Sequence, residues 1–368
     1  MRDICIVYSG DLGNPGGGTD RVSAFARGLS AHGHDVCLVI ARPTGSLPDR
    51  IRHLDTEVIP LQPKGVTNQL QRAALLVRRA KAVADERGAT LQITHSPLAG
   101  MFALANCSDF VVDMHDLAFS SPLYQELPMS ELFQRGLEGI ERRGVRSAAD
   151  VVVVSDRLRE FLTDEWGVPR DRISVIPNGY FAEIQQRYFK PYPERVPGRV
   201  VFLGMVHPKV DVDMFERIAE LPEVSELIVV GDGPNDEKLR RSDAPDLSFT
   251  GRLPDAVAFD VVSRAGLAIN PQHRSALQEA SSPVKLYLYA GLGLPVVATA
   301  GPDVVSELSR RDALTDIEPG DSDAFVRAVK ELMGDEPRRR RMADNAYEAS
   351  ERYRWSSRAE RLAEVYSE

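Results

Sequence analysis

Residues 281–298 read SSPVKLYLYAGLGLPVVA, an order that predicts a helix built to receive an anion, followed by a buried parallel strand. Ser282 suits the N-cap and Pro283 the first helical position, which leaves the backbone N–H groups of Val284 and Lys285 without intrahelical partners. A phosphate placed there gains about 0.3–1 kcal/mol per charge from the helix dipole. Lys285, one turn in, brings a point charge to the same oxygens. Gly291 and Gly293 then break the helical pattern, and Pro295-Val296-Val297 opens a short apolar run of the kind that fills a parallel sheet. Taken alone, the stretch is equally an ordinary α/β helix with a solvated lysine.

Outward from this stretch the chain alternates between apolar runs and helical periodicity. Upstream lie VVFLG (200–204), ELIVVGDGP (226–234), LSFTG (247–251) and GLAIN (266–270), with helices between them. The first half repeats the pattern. ICIVY (4–8) is followed by SGDLGNPGGGTDR, an amphipathic helix and VCLVI (36–40); LQIT (91–94), FVVDM (110–114), VVVV (151–154) and ISVI (173–176) follow. This predicts two doubly wound α/β domains. Residues 1–180 form the first, 181–198 a proline-rich linker, 199–350 the second, and 351–368 a final helix.

In the first glycine loop there is no G-x-G-x-x-G, and no acidic residue follows the second strand where a dinucleotide site needs one, so a redox cofactor is not expected. Gly16, Gly17 and Gly18 let the backbone approach a ligand, and Thr19 or Asp20 is expected to cap the next helix. His95 and His115 fall at the carboxyl ends of strands, where open α/β sheets hold ligands, and Asp116 stands beside His115. Either histidine could instead be structural. The Asp211-Val212-Asp213 triplet sits at a helix start, where carboxylates complement the dipole, and no metal is expected there.

A chain of 368 residues with 43% hydrophobic and 27% charged residues can bury two ordinary cores and is neither disordered nor membrane-spanning by composition. The opening apolar run spans about five residues, short of the roughly 7–15 of a secretory signal, so a cytoplasmic location is expected. Three cysteines, with Cys5 and Cys37 in predicted strands, fit reduced buried thiols better than a disulfide framework. Residues 1–190 carry 22 basic and 23 acidic side chains, and residues 191–368 carry 23 and 31. That balance argues against a nucleic-acid partner. It leaves the first half free to approach an anionic membrane at its inner face, for which Arg72, Arg78, Arg79 and Lys81 on one predicted helix are the candidate contacts.

Five segments carry a family resemblance: GGGTDRVSAFARGLSAHGHDVCLVI (16–40), AADVVVVSDRLREFLTDEWGVPRDRISVIPNGYF (148–181), LIVVGDGP (227–234), LSFTGRLP (247–254) and SPVKLYLYAGLGLPVVAT (282–299). Together they resemble the sugar-nucleotide-dependent glycosyltransferases of the GT-B fold, in particular the retaining group called family four, in its variant with SPxK at the donor helix. The resemblance implies two Rossmann-like domains facing a cleft, the first binding a carbohydrate or lipid-linked acceptor and the second a nucleotide sugar, UDP-linked, with the last helix crossing back to the first domain. It implies His115 as the group beside the reacting sugar, with Asp116 as its substitute. Gly17, Gly18, Lys209, Ser282, Val284 and Lys285 fall to the donor phosphates, Gly251, Arg252 and Glu279 to the nucleoside, and Thr19, Asp20 and His95 to the acceptor.

The departures are specific. Many members carry two glutamates in the frames that Ala280 and Leu288 occupy here, and Glu279 is one residue out of frame. Met205 stands where an arginine is expected, and Lys209 comes one position early. A transferase that needs neither cofactor nor metal is the expectation, with a catalytically silent GT-B binding or scaffold protein as the alternative. An isomerase on the same fold would need acid/base carboxylates that the chain does not obviously supply.

Overall fold

The computed structural model describes residues 2–59, 66–107, 109–120 and 130–367. The chain divides into two compact units, Met1–Asn178 with Trp355–Glu368, and Gly179–Arg354.

The first unit runs β1 (Asp3–Tyr8), α1 (Gly17–Ala31), β2 (Asp35–Ala41), β3 (Asp55–Ile59), α2 (Val66–Arg87), β4 (Thr90–Ile93) and α3 (Ser96–Leu104). It continues with β5 (Phe110–Met114), α4 (Ser130–Ser147), β6 (Asp150–Val153), α5 (Asp156–Asp164) and β7 (Ile173–Val175). Among the described residues its strands form one parallel sheet in the order β3-β2-β1-β4-β5-β6-β7. The central strands are apolar on both faces because helices cover both. Ile4, Cys5, Ile6 and Val7 have no exposed surface, and each such aliphatic side chain contributes about 1.5–3 kcal/mol by leaving water.

The second unit runs α6 (Ala182–Tyr188), β8 (Arg199–Leu203), α7 (Asp213–Ala219), β9 (Glu226–Val230), α8 (Glu237–Arg240), β10 (Leu247–Gly251), α9 (Asp255–Ser263) and β11 (Leu267–Asn270). Then come α10 (Ala276–Glu279), α11 (Val284–Gly291), β12 (Val296–Thr299), α12 (Asp303–Ser309), β13 (Leu314–Ile317), α13 (Ser322–Gly334) and α14 (Glu336–Ser350). Its parallel sheet has the order β10-β9-β8-β11-β12-β13 among the described residues. Alternate side chains sort into two cores: Val200, Phe202 and Val297 pack with α7 and α13, while Val201, Val296 and Ala298 pack with α11. In each sheet the strand order reverses beside the first strand, between β1 and β4 and between β8 and β11. That reversal is where doubly wound sheets leave a crevice for ligands.

One sequence expectation about chain organisation changes. Residues 181–198, expected to be a linker, hold α6 and belong to the second unit, where Tyr180 N–H donates to the Tyr353 carbonyl (3.0 Å). Helix α14 ends at Ser350, and α15 (Trp355–Val365) belongs to the first unit. There it crosses α1 so closely that a Cβ on Gly28 would strike Ala359. Phe25 and Trp355 meet edge to face at 5.8 Å. No helix among the described residues is long and apolar enough to cross a membrane.

Candidate functional site

In the second unit three loops meet where the sheet reverses. After β8 and β9 the backbone turns at Gly204 (φ 126°) and Gly231 (φ 131°), conformations that only glycine adopts without strain. A Cβ on Gly231 would run into the Gly204 carbonyl, so these loops approach with bare backbone. Val206 N–H donates to the Asp232 carbonyl (3.0 Å), and His273 N–H to the Lys209 carbonyl (2.8 Å), which joins the loop after β11 to the other two. Tyr289, from the buried face of α11, accepts the Leu203 N–H at 2.7 Å and pins the end of β8. Burial pushes its phenol upward, so it stays neutral.

Lys285 stands in the first turn of α11 with its ammonium 3.8 Å from the centroid of the Phe202 ring. Its pKa is lowered to about 7, first by burial and then by repulsion from Lys209. Among the described residues no carboxylate pairs with Lys285. The ammonium of Lys285 therefore has no carboxylate partner among the described residues, and it lies beside the first-turn amides of Val284 and Lys285, which have no intrahelical acceptor. An anion with several oxygens would relieve both conditions.

The start of this helix differs from the sequence expectation. Pro283 occupies the N-cap, and Ser282 does not cap: its hydroxyl shares a 2.8 Å hydrogen bond with the Tyr287 hydroxyl, buried away from the helix axis. The Ala280 and Leu288 frames lie in the core, 3% and 5% exposed, where no carboxylate would be tolerated. Glu279 pairs with Arg274 at 3.1 Å. Gly251 closes β10 with φ 64° and accepts the Gly231 N–H, and Arg252 beside it is exposed, as is Met205. Asp213 pairs with Lys238 at 2.6 Å in the first turn of α7.

The first unit gathers a different set. Asp113, within β5 and fully buried, receives Arg21 through Nε (3.0 and 2.9 Å) and Nη2 (2.7 Å). Arg21 Nη1 also donates to the Ile176 carbonyl (2.9 Å) and Asn178 Oδ1 (3.2 Å), and the guanidinium lies 4.4 Å from the Phe25 ring centre. Burial pushes the Asp113 carboxyl up, but Arg21 and His115 more than offset it and hold it well below the usual carboxylate range. An ionised Asp113 can only accept, so His115 Nε2, 3.2 Å away, is the donor of the hydrogen bond between them. His115 is one-fifth exposed and Asp116 is exposed. His95, exposed at the start of α3, is within electrostatic reach of both.

The glycine loop is ordered by side chains. Helix α1 begins at Gly17 with Gly16 as its N-cap, so Thr19 and Asp20 lie inside its first turn and do not cap it. Thr19 instead donates to the Asn14 carbonyl (2.8 Å), and Asp20 pairs with Arg50 (3.5 Å). A Cβ on Gly18 would strike the Tyr8 hydroxyl, whereas Gly17 is exposed backbone. The structure thus places Gly17, Gly18, Thr19, Asp20, His95, His115 and Asp116 in the first unit. Lys209, Gly251, Arg252, Glu279, Ser282, Val284 and Lys285 are in the second. Sequence reasoning passed over Arg21, Asp113 and Tyr289. A carboxylate inside the apolar run FVVDM was the available signal, since a buried charge demands a partner.

On the α2 face, Arg79 pairs with Glu57 (2.9 Å) and Lys81 with Asp85 (3.3 Å), which leaves Arg78 exposed. The side chain of Arg72 lies outside the described residues.

Residues 16–179 match the family described as "Glycosyl transferase 4-like domain", and residues 197–335 match "Glycosyl transferases group 1". The chain is 28% identical over 379 aligned positions to the phosphatidyl-myo-inositol mannosyltransferase of Mycobacterium leprae, covering 99% of this chain and 95% of that protein. Two further curated glycosyltransferases are matched over little more than half their own length, 54% and 57%. Among solved structures, sucrose-phosphate synthase from Thermosynechococcus elongatus superposes with a TM-score of 0.79 at 17% identity, covering 100% of this chain and 98% of the other. Anabaena HepE in complex with UDP-glucose gives 0.75 at 18% identity and covers 100% of both. With both domain families in their order along one chain, and both sheets wound as in those structures, the protein is a glycosyltransferase of the GT-B fold.

Proposed function

We propose that the enzyme transfers a sugar from a nucleoside diphosphate sugar, UDP-linked, to a carbohydrate or lipid-linked acceptor, with retention and without a metal. The observation that carries this reading is the uncompensated ammonium of Lys285, next to Lys209 and the open first turn of α11. Cleavage of the bond between the anomeric carbon and the β-phosphate oxygen sends its electron pair to the phosphate. Negative charge grows there, and fixed cations and N–H dipoles stabilise it more in the transition state than in the ground state. His115, oriented by Asp113, is assigned a hydroxyl of the transferred sugar. Thr19, Asp20 and His95 are assigned to the acceptor, and Gly251, Arg252 and Glu279 to the nucleoside. The names of the relatives supply the substrate classes: one acts on phosphatidyl-myo-inositol, and HepE holds UDP-glucose.

The proposal includes contact with an anionic membrane surface through α2. With Arg79 and Lys81 already paired, Arg78 carries that contact.

A panel of nucleotide sugars, followed for nucleotide release with and without acceptors, tests the reaction. Acceptor-dependent release with one donor is the expected result. Binding without release for every donor would leave the silent binding protein.

A further inference from the structure

Glu141 is a buried carboxylate that the reaction above does not use. It lies on α4 with no exposed surface. Its Oε1 accepts the Ser96 hydroxyl at 2.5 Å and the Ala118 N–H at 3.2 Å, and its Oε2 accepts the Phe119 N–H at 2.8 Å. Ser96 opens α3 directly after His95 and β4. Ala118 and Phe119 belong to the turn that follows β5, His115 and Asp116. One carboxylate therefore holds the segments leaving two neighbouring strands of the sheet.

The packing beneath makes this grip stiff. Helices α3 and α4 cross at small residues: a Cβ on Gly100 would run into the Ile140 carbonyl, and one on Gly144 into the Gly100 backbone. Ile140 is the neighbour of Glu141, so the helix that carries the carboxylate cannot drift from the helix that carries Ser96. A buried carboxylate with three donors has its charge spread over fixed hydrogen bonds. The energetic balance is close. Burial raises the Glu141 pKa to about 7 against the opposing pull of Ser96, Phe119 and Ala118, and the charge of Asp116 raises it too. Helix α3, from Ser96 to Leu104, brings no titratable side chain to it, and the turn Ala118–Ser120 brings none either.

We propose that Glu141 is a positioning residue: its carboxylate ties the segment after β4 to the segment after β5 and so sets where His95, His115 and Asp116 stand. The proposal rests on the reading of His115 as the group beside the reacting sugar. It assigns Glu141 no contact with substrate.

The test compares Glu141→Gln with wild type in two measurements on the full chain. The glutamine keeps the size of the side chain and one acceptor oxygen but sets an NH2 against the Phe119 N–H or the other donors. Amide hydrogen exchange, which needs no donor sugar, should lose about tenfold in protection at residues 118–119 while β5 and α4 stay protected. In the transfer assay with the donor identified by the panel, kcat should fall about tenfold, with the Kd for UDP unchanged. Exchange at 118–119 equal to wild type would overturn the proposal. A lowered Tm with unaltered kcat in the folded protein would overturn it as well, since the role would then be structural. Glu141→Ala, if it folds, should give larger changes in the same two measurements. His115→Ala separates the two readings: normal turnover in that variant defeats the catalytic assignment, whereas lost turnover there with normal turnover in Glu141→Gln defeats the positioning role alone.

Discussion

The two units wind their first six strands in the same order, yet they treat charge at the carboxyl ends of those strands in opposite ways. In the first, the buried charges at β5 are paired: Arg21 grips Asp113, Asp113 holds His115, and Arg21 is further satisfied by Ile176 and Asn178. In the second, Lys285 faces an aromatic ring and another lysine, and its ammonium is half lost near neutral pH. A satisfied network holds a side chain in place before any ligand arrives, whereas an unsatisfied charge stores a demand that only a ligand meets. On one scaffold the first arrangement fixes a histidine in place, and the second leaves a buried ammonium open to an anion; the proposed function gives the first to the reacting sugar and the second to the donor phosphates.

The largest effect that could break this contrast is at Asp113. Asp113→Ala leaves Arg21 buried and uncompensated, and should destabilise the first unit by about 3–5 kcal/mol, read as a shift in urea midpoint. A loss below 1 kcal/mol would mean that water or a moved side chain satisfies Arg21, and the two units would differ less than described. The same pair predicts acid sensitivity. The carboxyl is held below its unfolded pKa, so its contribution is present above that value and disappears as pH falls through the folded one.

Next is His115→Ala, which should lower kcat by about 10²-fold with little change in nucleotide affinity. Steady-state kinetics beside a UDP titration decide it, with Asp116→Ala as the control for a neighbouring role. Lys285→Ala follows, with an expected loss of about 1.5–3 kcal/mol in UDP binding by calorimetry. An unchanged Kd would remove the anion site from α11.

The pH response sharpens the second half of the contrast. With its free-state pKa lowered to about 7, Lys285 is an ammonium at pH 6 and mostly an amine at pH 9. A bound anion favours the ammonium, so binding near pH 8 should take up a proton, and affinity should fall by at most about tenfold per pH unit as pH rises from 7 to 9. Titrations in buffers of different ionisation enthalpy measure the uptake, which Lys285→Met should abolish. Smallest is the lipid contact: Arg78→Glu should cost about 1 kcal/mol in binding to anionic vesicles, a difference that salt erases. Co-sedimentation without salt dependence in the parent protein removes α2 from the membrane reading.

Much of the fold was legible because the central strands are apolar on both faces, and runs such as VVVV and VVFLG have few alternatives. The edge strands β3 and β13 escaped because DTEVI and LTDI carry polar residues where one face meets water. The place of Lys285 in the first turn of its helix was legible because its signal is local. Ser282 misled because Tyr287, five residues on, takes the hydroxyl that a cap would use. The run FVVDM signals that Asp113 needs a partner but not which one, and Glu141 carries no such signal: the partners lie 92 residues away in one case and 45 and 22 in the other. Only the folded sheet brings such groups together.

The return of α15 to the first unit bears on how the protein is made. Phe25 and the face of α1 around Gly28 are covered by Trp355 and Ala359, and Gln92 receives the Tyr366 hydroxyl at 2.8 Å. On the ribosome the first unit emerges early, at about 5–20 residues per second, but it waits for residues 355–366 before that face closes. During the interval the second unit can fold completely, while the first presents an apolar strip to solvent and to any chaperone that reads one. The unit that starts the chain is therefore the last to be finished.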